Sequence, residues 1–444
     1  GPTVRPSFRV PDPDRRPDFE EIREVLASSR ARSVDIPPSF VPEQQSFFGR
    51  DEIFDRLVDE AQKCVTDETL RVSLLAGAAG YGKTAMAERL ALWAAQRGWV
   101  ILRGRCYNRE SLIYQGWDEI AAQLGEICRQ SMGEIDEKTD RIRRQAARLF
   151  ESVSPSKPDE APLDRLEAVA ALRKLFRVLS AERPILLMFD DLNWSSWDTA
   201  ALLADVIAEP EGMQCFVTGT WRLTDEGAES HRFLEDLESA PVDTEWIEVR
   251  GFRRSEAREY VEAVSALPDA LQSRILEVGE ENPLMIEEML YQLHLARTSQ
   301  GGIDEESADE ESERENSQEE IAAELEWLEA AGEDVSERLT KLVQRRLESL
   351  SRREMFVIQI LSVASLPLPE SIISLVLDEE FRSGESMSNS VRVLLDHLRT
   401  LRLVRQVETN RWEHAYTLFH NISRSLVLDE IHQQLYTHLC RHIA

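Results

Sequence analysis

The chain predicts an α/β core on a five-stranded parallel sheet, followed by a helical lid and a winged-helix unit. Between residues 46 and 252 short apolar runs alternate with amphipathic stretches, as expected of strands and helices in a parallel sheet covered on both faces. After Gly251 the strand pattern stops and closely spaced helical stretches take over. Nearer the C-terminus, further helices precede two short strand-like runs, the order of a winged helix.

Taken in order, residues 1–45 are rich in Pro, Arg and Asp and read as an N-terminal tail or linker, with one amphipathic helix over Asp18–Ser29. In the core, residues 46–252, strands are expected at Arg71–Ala76, Trp99–Arg103, Pro184–Asp190, Gln214–Gly219 and Trp246–Arg250. A lid over 253–300 is expected to hold helices at Ser255–Ala266, Pro268–Gly279 and Pro283–Arg297. Residues 301–335 read as an acidic insertion or linker, because Asp304–Asp334 carries fifteen Asp or Glu against one Arg and stays solvated. In the last unit, 336–444, helices are expected at Arg353–Ala364, Leu368–Val376 and Ser388–Leu401, then strands at Val404–Glu408 and Arg411–Tyr416. A closing helix, Glu430–Ala444, carries apolar positions with no evident partner, as though a following unit had been cut away.

Composition narrows the function classes. With 444 residues and 42% hydrophobic content the chain can bury two or three cores. No run is apolar for long enough to cross a membrane. Five cysteines without CxxC spacing argue against zinc and against a disulfide framework, and fit a reducing cytoplasm. A net charge of -30 makes the whole a poor general partner for nucleic acid, whose binding rests on phosphate neutralisation.

The strongest motif is Gly77-Ala78-Ala79-Gly80-Tyr81-Gly82-Lys83-Thr84, directly after the first strand. Glycines let the backbone curl around a polyphosphate with N–H groups inward, where a Cβ would obstruct the approach. Lys83 can reach the β and γ oxygens and the Thr84 hydroxyl can bind Mg²⁺, while the helix starting at Thr84 and Ala85 turns its positive end to the anion. This is a P-loop. About one hundred residues on, Ile185–Phe189 ends in Asp190 and Asp191, a Walker B pattern. There Asp190 can hold Mg²⁺ through water while Asp191 polarises a hydrolytic water. Arg222, at the end of the next strand, has the fork geometry to report a γ-phosphate, or else is a solvated loop arginine.

Phe47-Phe48-Gly49-Arg50-Asp51, the P-loop, Asp190-Asp191-Leu192-Asn193-Trp194, Gly219-Thr220-Trp221-Arg222 and Glu281-Asn282-Pro283-Leu284 together resemble the STAND class of AAA+-related NTPases in order and spacing. The resemblance implies that Phe48, Gly49, Arg50 and Pro283 cradle the adenine and ribose, although Pro283 also suits the first turn of any helix. Leu418-Phe419-His420-Asn421 resembles the class's "MHD" motif, which would put His420 on the β-phosphate of ADP; taken alone, such a histidine also suits a core. Ile53, Glu281 and Asn421 depart from the family pattern, which usually has an acid, a glycine and an acid there. Gly104–Glu110 and Tyr416–Arg424 are similar to the central module of bacterial proteins joining a Ser/Thr kinase to a STAND NTPase and helical repeats, and Asp12–Leu26 is similar to the end of a kinase domain.

These features imply ATP/ADP and Mg²⁺ as cofactors and a slow ATPase acting as a switch. ADP would hold a closed resting form, and ATP with a signal would permit opening and self-association. A kinase domain before the chain and helical repeats after it are the implied neighbours in a parent protein. Two other classes compete: a continuously cycling AAA+ motor, and a DNA-binding regulator reading through Arg392, His397, Arg399 and Arg402.

Overall fold

The structure, a computed structural model, describes residues 48–106, 116–131, 165–223 except 196, 242, 244–300 except 266, 335–425 except 365–366, 382–387 and 409, and residues 427, 435 and 439. The expected N-terminal tail, its helix, the acidic segment and most of the Gly104–Glu110 block lie outside these residues.

All five expected strands are present and form one parallel sheet: β1 Arg71–Gly77, β2 Val100–Arg105, β3 Ile185–Asp190, β4 Cys215–Arg222 and β5 Thr244–Glu248, in the order β2-β3-β4-β1-β5. β4 runs three residues past the expected end at Gly219, because β1 continues to pair with it until Gly77 meets Arg222. Flanking helices are α1 Asp51–Thr66, α2 Lys83–Gln96, α3 Trp117–Ser131, α4 Arg165–Glu182 and α5 Trp197–Ile207.

The strands read as unbroken apolar runs because both faces are covered. Val72, Leu74, Ile185, Leu187, Phe189 and Val217 pack with α3, α4 and α5 on one face. Leu75, Leu186, Met188, Phe216 and Ile247 pack with α1 and α2 on the other. Successive strand residues thus enter opposite cores, the period of two that the pleat imposes.

The segment expected as the lid follows as α6 Arg254–Val264, α7 Asp269–Val278 and α8 Pro283–Gln300. These helices and the sheet belong to one compact unit, residues 45–338. A second unit from Leu339 onward contains most of α9 Val335–Glu348, then α10 Arg352–Val363, β6 Leu368–Pro369, α11 Glu370–Phe381, α12 Ser388–Thr400, β7 Val404–Glu408, β8 Arg411–His414 and α13 Thr417–Ser425. Its sheet is antiparallel with order β6-β8-β7.

Two expectations need correction here. The helix expected from Leu368 begins at Glu370, since Leu368 and Pro369 pair with Trp412 and Arg411 and are committed to the sheet. In the closing segment the two described apolar residues do have partners: Leu435 and Leu439 are buried in the same core as Val357, Leu395 and Trp412.

A capping box starts α10. The Ser351 hydroxyl accepts from the Glu354 N–H at 3.4 Å, and Glu354 Oε2 accepts from the Ser351 N–H at 2.8 Å. Glu354 Oε1 lies 2.5 Å from His397 Nδ1 on α12, which ties the two helices together. Burial works against the Glu354 charge, yet the Ser351 donors and His397 hold its carboxyl below the usual range. A carboxylate with a depressed pKa adds stability above its unfolded pKa and loses it as pH falls through the folded value. Glu354→Gln is therefore expected to cost about 1 kcal/mol at neutral pH, read as faster hydrogen exchange of α10 amides. The difference from wild type should shrink once the pH drops below the carboxylate range; a pH-independent deficit would contradict this.

Candidate functional site

The sheet order sets the site. β4 lies between β1, which feeds the phosphate loop, and β3, which delivers the two acids. Arg222 is the register partner of Gly77, so it stands beside the loop itself as well as beside the acids.

The loop's glycines are required by protein neighbours. At Gly77 a Cβ would fall on the Val249 carbonyl oxygen, so the chain just past β5 requires glycine here as well. Gly80 (φ +77°) and Gly82 (φ +79°) adopt the left-handed conformation glycine favours. Their Cβ positions would meet Asn282 Oδ1 at 2.5 Å and Arg50 Nη1 at 2.7 Å.

Helix α2 begins at Lys83, one residue before the expected start. The buried Lys83 ammonium donates to the Gly77 and Ala78 carbonyls at 2.9 and 2.8 Å. Burial, and then the charge of Arg222, bring its pKa down to about 8. Thr84 Oγ1 donates to Asp190 Oδ1 at 2.9 Å, which leaves the hydroxyl's lone pairs for a cation. Ala85 is exposed on the first turn of α2.

Asp190 has both oxygens engaged. Oδ1 also accepts from Thr220 Oγ1 at 2.6 Å, and Oδ2 pairs with Arg105 Nη2 at 3.2 Å. Burial opposes its charge, but Arg105 and the two threonine hydroxyls hold the carboxyl below the usual range. Asp191 differs. It sits at φ +57°, its N–H donates to Thr220 Oγ1 at 2.7 Å, and its Oδ2 is buried with no hydrogen-bond partner among the described residues. Burial, and then the neighbouring Asp190 charge, push its pKa up to about 6. Adjacent acids with pKa values driven apart suit a division of labour, one holding charge and the other handling a proton. Asn193 Oδ1 accepts from the Arg222 N–H at 3.3 Å and steadies the end of β4.

At the loop's other side, Arg50 (φ +62°) donates from Nη1 to the Tyr81 carbonyl, stacks over Phe252 at 5.1 Å and keeps Nε and Nη2 buried with no hydrogen-bond partner among the described residues. Burial lowers its pKa. Phe48 meets Tyr260 of the lid edge-on at 5.3 Å, and at Gly49 (φ +66°) a Cβ would lie 3.0 Å from Glu256. Pro283 is the first residue of α8. Immediately before it, Glu281 takes φ +63°, a conformation that costs a side-chain-bearing residue about 1 kcal/mol or more. That is the physical sense of the glycine the resembling family has there.

The structure thus gathers Phe48, Gly49, Arg50, Gly77, Gly80, Tyr81, Gly82, Lys83, Thr84, Asp190, Asp191, Arg222 and Pro283 in the 45–338 unit. His420 belongs to the other unit, where it is buried and meets His414 edge-on at 5.3 Å. Sequence reasoning gave no role to Arg105, Thr220 or Asn282. The first two sat in quoted motifs without an assigned partner, and only strand register reveals that they converge on Asp190.

No curated protein matches the chain. Residues 46–217 match the family model of an AAA ATPase domain. Among solved structures, a STAND ATPase with a tetratricopeptide repeat sensor from Pyrococcus horikoshii is 13% identical, with TM-score 0.46, over 89% of this chain and 45% of that one. This chain therefore spans under half of that protein's length. The ORC2 protein of Aeropyrum pernix, in ADPNP-ADP complexes, is 14% identical with TM-score 0.33, over 91% of this chain and 98% of that one. RuvB of Thermotoga maritima is 14% identical with TM-score 0.35, over 84% and 94%. These are distant likenesses only. Among the described residues no helix is long and apolar enough to cross a membrane.

Proposed function

We propose that this AAA+-related P-loop NTPase core is the nucleotide-binding part of a STAND-type switch, in which ADP holds a resting form and ATP with a signal releases it. The observation that carries the proposal is the convergence of Lys83, Thr84, Asp190, Asp191 and Arg222 at the carboxyl ends of β1, β3 and β4. Adenine nucleotide is the ligand the residues suit: loop N–H groups and Lys83 for the phosphates, Phe48, Gly49, Arg50 and Pro283 toward the base. Thr84 and Asp190 would hold Mg²⁺, which when bound offsets the phosphate charge. Asp191, with its unpartnered buried oxygen, would orient and deprotonate the attacking water, and Arg222 would bind the γ-phosphate.

A switch acts only through unequal affinity for its two states. Moving the population from 1:99 to 99:1 takes about 5.5 kcal/mol, whereas one charge-assisted contact from His420 contributes roughly 1.5–3 kcal/mol. A signal or partner must supply the rest. His420→Ala is expected to speed ADP release about tenfold, measured with a fluorescent ADP analogue. An unchanged rate would remove the histidine from the latch. The last unit, a winged helix in this proposal, serves as an internal latch rather than a DNA reader. Arg392 and Arg399 on α12 face Glu370 and Asp396 at 3.4 and 3.6 Å, and His397 faces Glu354. Arg392 and Arg399 thus already have acidic partners within their own unit.

Denaturing the purified protein and identifying the released nucleotide by chromatography tests the switch. Stoichiometric ADP supports it; an empty site with turnover well above about one per second would favour a cycling AAA+ motor.

A further inference from the structure

Asn282 is 4% exposed and makes contacts that its position as a helix cap does not require. Its Oδ1 accepts the Met285 N–H at 3.2 Å, an ordinary N-cap for α8. Its Nδ2 donates at 2.9 Å to the carbonyl of Ala79, in the phosphate loop more than two hundred residues earlier. One residue along, the Gly80 carbonyl accepts from the Leu284 N–H at 3.3 Å. Two successive peptide planes of the loop are thus held by the first turn of a lid helix. No described peptide bond is cis, so each plane's N–H points opposite to the carbonyl the lid holds. Gly80 is fitted to this contact: it is left-handed, and any Cβ there would collide with the Asn282 side chain.

We infer that Asn282 is a positioning residue for the nucleotide, fixing the Ala79–Gly80 peptide through the lid so that phosphate binding and lid attachment are one event. The inference rests on the nucleotide site proposed above. Capping alone is served equally by Ser or Asp. An amide carries its acceptor and its donor on separate atoms, so Oδ1 can serve Met285 while Nδ2 reaches Ala79; the single, shorter hydroxyl of a serine cannot span both. A lid that leaves must surrender the two loop carbonyls, and a loop that rotates to release phosphate must surrender the lid.

Asn282→Ser keeps a cap and loses the bridge. Asn282→Asp keeps the cap but turns a carboxylate toward the Ala79 carbonyl and the phosphates. With mant-ADP as probe, Asn282→Ser should release nucleotide about five- to tenfold faster, and Asn282→Asp faster still. Both variants lose a buried hydrogen bond and should melt somewhat lower without nucleotide, but the faster release should persist at temperatures where both are fully folded, which a purely structural role would not give. Wild-type release rates in both variants would overturn the inference and leave Asn282 a helix cap. If the wild-type protein binds neither mant-ADP nor mant-ATP, the nucleotide site falls and the inference falls with it.

Discussion

Lys83→Ala is expected to weaken nucleotide binding by at least about a hundredfold while leaving the fold intact. The ammonium is buried among loop carbonyls and shares its surroundings with Arg222, and burial has already lowered its pKa. Its removal relieves a desolvated charge and a like-charge neighbour while giving up the attraction of Asp190 and Asp191, so the nucleotide-free protein should melt close to wild type. Of the two carbonyls left behind, that of Gly77 is buried and loses its donor, a cost that partly offsets the relief. Binding, by contrast, loses the only cation the loop itself offers to the phosphates. Titration with mant-ADP, paired with a thermal melt, separates the two effects. Tight binding by a folded Lys83→Ala protein would mean that phosphate sits elsewhere.

The second large effect is expected at Asp191. Asp191→Asn should reduce hydrolysis by about 10²- to 10⁴-fold with little change in nucleotide affinity. The carboxylate has one oxygen buried without a hydrogen-bond partner among the described residues, beside a partner acid whose oxygens are fully engaged. An amide is nearly the same shape and removes the repulsion from Asp190, so stability should hold. Single-turnover phosphate release reads the chemical step directly. Asp190→Asn should behave differently, because it breaks contacts to Thr84, Thr220 and Arg105 at once, and its loss should appear in metal-dependent affinity as well as in rate. Equal hydrolysis by wild type and Asp191→Asn would exclude Asp191 as the base and leave water activation to another group.

Much of this was legible in order along the chain. The five strands declare themselves because a sheet buried on both faces demands uninterrupted apolar runs, and the P-loop declares itself because so few residues tolerate its backbone. Helix and strand ends were less legible. Pro369 and Arg222 belong to strands only because Arg411 and Gly77 lie opposite them, and no local pattern encodes a partner. At position 77 the structure adds a reason for glycine that no local pattern encodes, since a Cβ there would meet the Val249 carbonyl.

What the sequence determined by itself is the chemistry on offer: a P-loop, two adjacent acids, a strand-end arginine and the proline that opens α8, each noticeable because the proposed function would need a particular residue at a particular spacing. What only the tertiary structure decided is which of these act together. Inserting β4 between β1 and β3 brings Thr220 and Arg222 to the acids and the loop, and packing the start of α8 against the loop brings Asn282 to Ala79. Contacts across such distances follow from strand order and packing, and strand order is a property of the whole chain's lowest free energy rather than of any segment.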